Sequence, residues 1–243
     1  QQLILEPIDV TTGPLFGARL IKLADDEHVL ALAIEHVVSD AFSMGILLGD
    51  LCTVYAWRAQ QRPTSLPPVS VQVADYAVWQ RNRLAPWLKD HGAYWDERLN
   101  GCGRLRMQSQ GIPDPQCTGL GTIPILLGPQ VKSGLVEWSR RRRTTLVMSV
   151  FTAFVAVVLR WCNASHGVIR YQTDGRHHPR VANTIGYLAS VLNLRMELRE
   201  DDTFVTLLER VTNEYYEAQE HADLSYIDAM VPAPDFVRNP GFN

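Results

Sequence analysis

Around Asp40 the spacing of the apolar residues changes from that of a strand to that of a helix, and this switch excludes any fold with a single repeating period. Before it, residues 17–23 and 28–34 are short runs rich in Leu, Ile, Val and Ala, separated by Ala24-Asp25-Asp26-Glu27, a pattern that predicts a β-hairpin. After it, Leu47, Leu51, Val54, Tyr55 and Arg58 recur at intervals of three and four, which predicts an amphipathic helix starting near Phe42 or Ser43 with its apolar stripe toward a core. Pro63, Pro67 and Pro68 end that helix, and residues 75–83 and 87–99 read as two further helices, with Leu88, Trp95 and Leu99 on one face. Residues 100–121 shift to Gly, Pro, Ser and Gln and are expected to link two lobes, 1–99 and 122–243.

The second half predicts a strand over 122–127, then a helix with Pro129 in its first turn and Val131, Leu135 and Trp138 facing inward. Four consecutive arginines, 140–143, close that helix, where cations are favoured by the helix dipole; a solvated helix end is the plain reading and a binding patch the functional one. An apolar helix over 146–162, a strand over 168–172, a polar loop and an extended run over 187–198 follow. Asp202 or Thr203 is placed to cap a last helix lined by Phe204, Leu207, Leu208, Val211 and Tyr215. Strands and helices intermixed in two lobes predict an α/β or α+β sandwich.

Composition narrows the function classes. With 46% apolar and 20% charged residues in 243, the chain has what it needs to bury a core. A net charge of −3 gives no global basic field, which argues against a nucleic-acid partner. The apolar run 146–162 carries Ser149, Thr152 and Arg160, which suits a buried helix better than a membrane span. Cys52, Cys102, Cys117 and Cys162 are scattered, so neither a zinc site nor a disulfide framework is signalled, and reduced thiols of the cytoplasm are expected. His177-His178 and His166 lack a carboxylate at ligand spacing, so no metal is expected. The absence of a Gly-x-Ser-x-Gly elbow and of a phosphate-binding Gly-rich loop removes the usual warrant for a serine hydrolase or a nucleotide site.

The strongest candidate for chemistry is Glu35-His36-Val37-Val38-Ser39-Asp40-Ala41, where a strand ends and a capped helix starts. His36 is able to accept a proton near neutral pH, and Asp40 is able to fix a tight turn through backbone hydrogen bonds or an ion pair. A single His at a strand end is more often structural than catalytic, and the spacing alone does not separate the two.

The same segment resembles the His-His-x-x-x-Asp-Gly core motif of the condensation domains of nonribosomal peptide synthetases, with Glu35 in place of the first His and Ala41 in place of the Gly. The resemblance continues through Gly13-Pro14-Leu15 before the motif and Phe42-Ser43-Met44-Gly45 after it, then Asp75-Tyr76-Ala77-Val78-Trp79-Gln80-Arg81 and Tyr94-Trp95-Asp96-Glu97-Arg98-Leu99. It resumes at Gly175-Arg176, Ile185-Gly186-Tyr187 and Arg238-Asn239-Pro240-Gly241-Phe242. The family is about twice as long as this sequence, which opens on Gln1 and is therefore read as an internal segment.

The resemblance implies a chloramphenicol-acetyltransferase-like fold: a two-lobed α/β sandwich, here incomplete at both ends, with a tunnel between the lobes. It implies amide-bond formation in natural-product and antibiotic biosynthesis, between an acyl or peptidyl thioester on a donor carrier domain and an aminoacyl amine on an acceptor carrier domain. Both substrates ride on 4′-phosphopantetheine arms, so no cofactor is expected on the domain itself, and an adenylation domain is expected nearby in the parent chain. His36 maps onto the catalytic His, as general base or as orienter of the amine; Asp40 maps onto the residue that holds the loop, commonly by pairing with an Arg. Glu35 and Ala41 are expected to support the motif, and Arg176, Gly186 and Asn239 are assigned to the tunnel and second-lobe motifs.

The two departures motivate an alternative, a catalytically degenerate domain that docks carriers or tailoring enzymes, because a carboxylate at Glu35 is costly to bury unpaired. A free-standing acyltransferase using acyl-coenzyme A is a third reading, disfavoured by the synthetase-like landmarks.

Overall fold

The computed structural model describes residues 8–102, 105–107 and 124–222. Cα packing divides the chain into two compact units, Gln1–Pro86 with Gln172–Ser190 and Trp87–Tyr171 with Val191–Asn243. Most of the expected 100–121 linker, and the 238–242 motif with Asn239, lie outside the described residues.

In the first unit, β1 (Phe16–Lys22) pairs antiparallel with β2 (His28–Ile34), in register from Phe16 opposite Ile34 to Lys22 opposite His28. The intervening turn closes with the Leu23 and Ala24 N–H groups donating to the Glu27 carbonyl at 2.9 and 3.1 Å. A short 3-10 turn, His36–Val38, leads to α1 (Ala41–Ala59). The expected burial of the α1 stripe is only partial: Leu47 and Val54 are half-buried, Leu51 and Tyr55 are exposed, and Ser43 is the only residue of the helix that is fully buried. A two-stranded hairpin offers little area to cover 19 residues of helix, so α1 is secured by polar bonds at its N-terminus instead.

α2 (Val73–Leu99) is one helix where two were expected. It runs through Pro86, whose missing N–H deletes a single rung of the ladder without ending the helix. Among its described side chains, Tyr76, Trp95 and Leu99 are the buried apolar ones.

The second unit contains α3 (Pro129–Arg141), α4 (Leu146–Trp161) and α5 (Phe204–Glu220), with most of β3 (His166–Thr173) and β4 (Ser190–Glu197), which pair with each other. Its core is Val155 and Leu159 of α4, Leu192, Leu194 and Met196 of β4, and Leu207, Leu208 and Val211 of α5. Between α3 and α4 the buried Ser139 and Ser149 hydroxyls lie 2.8 Å apart, and each also reaches a carbonyl one turn back in its own chain segment, Leu135 or Thr145. Residues this small let the helices approach closely while their polar atoms stay satisfied.

Two local expectations are corrected here. Residues 124–127 form no ladder among the described residues, and Ile125 and Leu126 are 89% and 86% exposed, because apolar β-formers make a strand only where an edge is available to pair. Val131 is exposed, while Leu135 and Trp138 are half-buried. The arginines 140–143 stand exposed at the end of α3: Arg140 and Arg141 bridge to Glu137, and Arg142 lies over the Trp138 ring at 5.9 Å.

Thr203 is the cap of α5, and its hydroxyl exchanges bonds with Thr206 in a reciprocal capping box. Thr203→Ala is expected to cost about 1 kcal/mol in urea unfolding. Among the described residues no single helix is long and apolar enough to cross a membrane; α3 and α4 meet the test only as a pair bent by 104°.

Candidate active site

The site lies where β2 hands over to α1, wholly within the first unit. The Glu35 N–H donates to the Leu15 carbonyl at 2.9 Å, which ties the end of β2 to the chain entering β1. One tight turn then closes through Val38 N–H to Glu35 O and Ser39 N–H to His36 O. Asp40 is extended (φ −126°, ψ 178°) and begins the helix as its N-cap.

His36 projects from that turn, exposed. Its Nδ1 is 2.7 Å from the Ser39 carbonyl oxygen. A carbonyl only accepts, so Nδ1 carries the hydrogen, a tautomer in which Nε2 is the acceptor. The ring also meets Tyr187 edge-to-face, with centroids 5.1 Å apart and planes at 83°.

Asp40 is the opposite case, 3% exposed and saturated with donors. Its Oδ1 accepts from the Ser43 N–H and hydroxyl, both at 2.8 Å, and from Arg176 Nη2 at 3.1 Å. Its Oδ2 accepts from Arg176 Nη1 at 2.9 Å and from the Leu188 and Ala189 N–H groups, both at 3.0 Å. Burial pushes the carboxyl upward, but the Arg176 guanidinium and the Ser43 and Leu188 donors outweigh it and hold Asp40 well below the usual carboxylate range.

The Arg176 side chain is 4% exposed and also donates to the Thr184 and Asp174 carbonyls and to the Ser43 hydroxyl. Its approach depends on Gly175, at φ +62°, where an added Cβ would sit 1.6 Å from the Leu188 carbonyl oxygen. Gly186 is required for space: a Cβ there would meet Val73 Cγ2 at 2.0 Å.

A family model for the condensation domain matches residues 1–229 of this chain. The chain belongs to the condensation domain family. Among curated relatives, it is 33% identical over 223 residues to Malpibaldin synthetase of Mortierella alpina, covering 90% of this chain and 4% of that protein. It is 32% identical over 229 residues to a linear gramicidin synthase of Brevibacillus parabrevis, covering 93% of this chain and 4% of that one. Among solved structures it superposes on the SgcC5 protein from Streptomyces globisporus with a TM-score of 0.77 at 25% identity, covering 95% of this chain and 53% of SgcC5. The fold is therefore the α/β, chloramphenicol-acetyltransferase-like one, and the chain spans 4% of the length of those synthetases and about half of SgcC5.

Within this condensation domain, His36 and Asp40 stand at one strand-to-helix junction, and Arg176 and Gly186, assigned from sequence to the second lobe, lie in the same compact unit as they do. Glu35 is half-buried, and its side chain makes no hydrogen bond or ion pair among the described residues. Ala41 is the first helical residue, exposed, and not among the positive-φ positions, so a methyl in place of the motif Gly brings no backbone strain. Sequence reasoning missed Ser43, although its position three residues after a capping Asp is a legible signal. The Leu188 and Ala189 amides had no signal, since every residue but proline carries an N–H. His178 accepts from the Arg180 N–H at 3.2 Å and lies against Trp79, His166 is 3.2 Å from the Ser165 hydroxyl, and no group of three metal-ligating side chains forms among the described residues.

Proposed function

We propose that this condensation domain forms amide bonds between substrates carried on two peptidyl carrier domains. The amine of the acceptor-bound aminoacyl group attacks the thioester carbonyl of the donor-bound acyl or peptidyl group. A C–N bond forms and the C–S bond breaks; the proton lost by the amine passes to His36 Nε2 and from there to the departing pantetheine thiolate. A thioester is already activated and both arms are tethered, so proximity supplies most of the rate and the base has a modest task.

The observation that carries this reading is the state of His36: exposed, with Nδ1–H spent on Ser39 and Nε2 left as the acceptor. The buried Asp40–Arg176 pair supports it by making the turn that bears His36 rigid. The substrates arrive on 4′-phosphopantetheine, and donor carrier, acceptor carrier, an adjoining adenylation domain and a cytoplasmic setting belong to the same proposal.

The half-buried Glu35 carboxylate, without a partner among the described residues, favours a second reading, a docking domain without chemistry. One experiment separates the two. In the full synthetase, His36→Ala is expected to lower product formation by about a hundredfold or more while carrier binding is unchanged. Product formed at the wild-type rate would make this a docking domain.

A further inference from the structure

Resting on the reading of His36 as the base, we infer that Tyr187 is a positioning residue for the condensation step, and that the two side chains capping α1 hold Tyr187 in place. Among the described residues the His36 ring makes one hydrogen bond, from Nδ1 to the Ser39 carbonyl, and an imidazole held at a single nitrogen still swings about that bond. A second contact is needed to set the ring plane and hence the direction of the Nε2 lone pair. The Tyr187 ring supplies it, edge-to-face at 5.1 Å.

The backbone on both sides of Tyr187 is clamped. On one side, the Gly186 N–H donates to the Ser43 hydroxyl oxygen at 2.9 Å. On the other, the Leu188 and Ala189 N–H groups both donate to Asp40 Oδ2 at 3.0 Å. Asp40 and Ser43 are thus not only loop supports. Through residues 186, 188 and 189 they set the backbone that bears Tyr187, and the Tyr187 ring sets His36. Both ends of this relay lie within eight residues of chain, yet the link between them passes through a segment more than 140 residues away. Tyr187 is itself 38% exposed, so its side chain is not part of the packed core.

A base displaced by about 1 Å loses up to two orders of magnitude, so the relay has a kinetic signature. The test uses the full synthetase with the acceptor substrate varied. Tyr187→Leu, which keeps apolar volume but removes the ring, is expected to lower kcat about tenfold with KM changed by less than about twofold; Tyr187→Phe, which keeps the ring, restores kcat. Combined with His36→Ala, Tyr187→Leu is expected to add no further loss, because it acts only through His36.

Four results overturn the inference. Wild-type kcat in Tyr187→Leu, or losses that multiply in the double variant, remove Tyr187 from the relay while leaving His36 as the base. A His36→Ala enzyme at the wild-type rate removes the base, and the relay with it. Failure of Tyr187→Phe to restore kcat assigns the effect to something other than the ring. Equal thermal unfolding of Tyr187→Leu and Tyr187→Phe serves as the control for folding.

Discussion

Arg176→Met is expected to destabilise the chain by about 3–5 kcal/mol, because it strands a buried carboxylate. The Asp40 and Arg176 side chains are 1% and 4% exposed, so water is in no position to replace the lost donors. Methionine fills most of the volume but returns none of the bonds to Asp40, Thr184, Asp174 and Ser43. Adding Asp40→Asn, which removes the uncompensated charge, is expected to recover part of the loss, since the penalty comes mainly from the unpaired ion. The sign with pH follows from the depressed Asp40 value: its stabilisation is fully present above the unfolded carboxylate value of about 3.9 and is lost as pH falls below that toward the folded value. Arg176→Met is therefore expected to raise the pH of acid unfolding. A urea midpoint and an acid midpoint both equal to wild type would show that the pair contributes nothing.

Gly175→Ala is expected to be similarly severe for a different reason. At φ +62° an L-residue carries a conformational cost of roughly 1–2 kcal/mol before any contact is considered. The added Cβ would then lie 1.6 Å from the Leu188 carbonyl oxygen, so the 188–189 segment has to move away. That movement pulls the Leu188 and Ala189 amides off Asp40, and the losses compound. Gly45 and Gly49 provide the contrast. Both lie within α1 with nothing within 4 Å of an added Cβ, so Gly49→Ala is expected to raise stability by up to about 1 kcal/mol. Thermal unfolding of the two variants in parallel checks both signs; a Gly175→Ala melting temperature at or above wild type would refute the argument.

Local spacing alone identified the hairpin, the start of α1 near Asp40, the run of α4 and the capping of α5. These features are decided by hydrogen bonds and side-chain periods within a turn or two of chain, and a linear pattern records them. The partner of Asp40 was another matter. Arg176 is 136 residues away, and nothing near either residue distinguishes it from the other arginines of the sequence. The same holds for the amides of Leu188 and Ala189 and for the Tyr187 ring, whose importance comes from which side chains the folded path brings beside them. The partly exposed stripe of α1 and residues 124–127, unpaired among the described residues, depart from their patterns for the reverse reason: an apolar pattern shows that a face is suited to burial, but only the arrangement of the surrounding elements decides whether anything covers it.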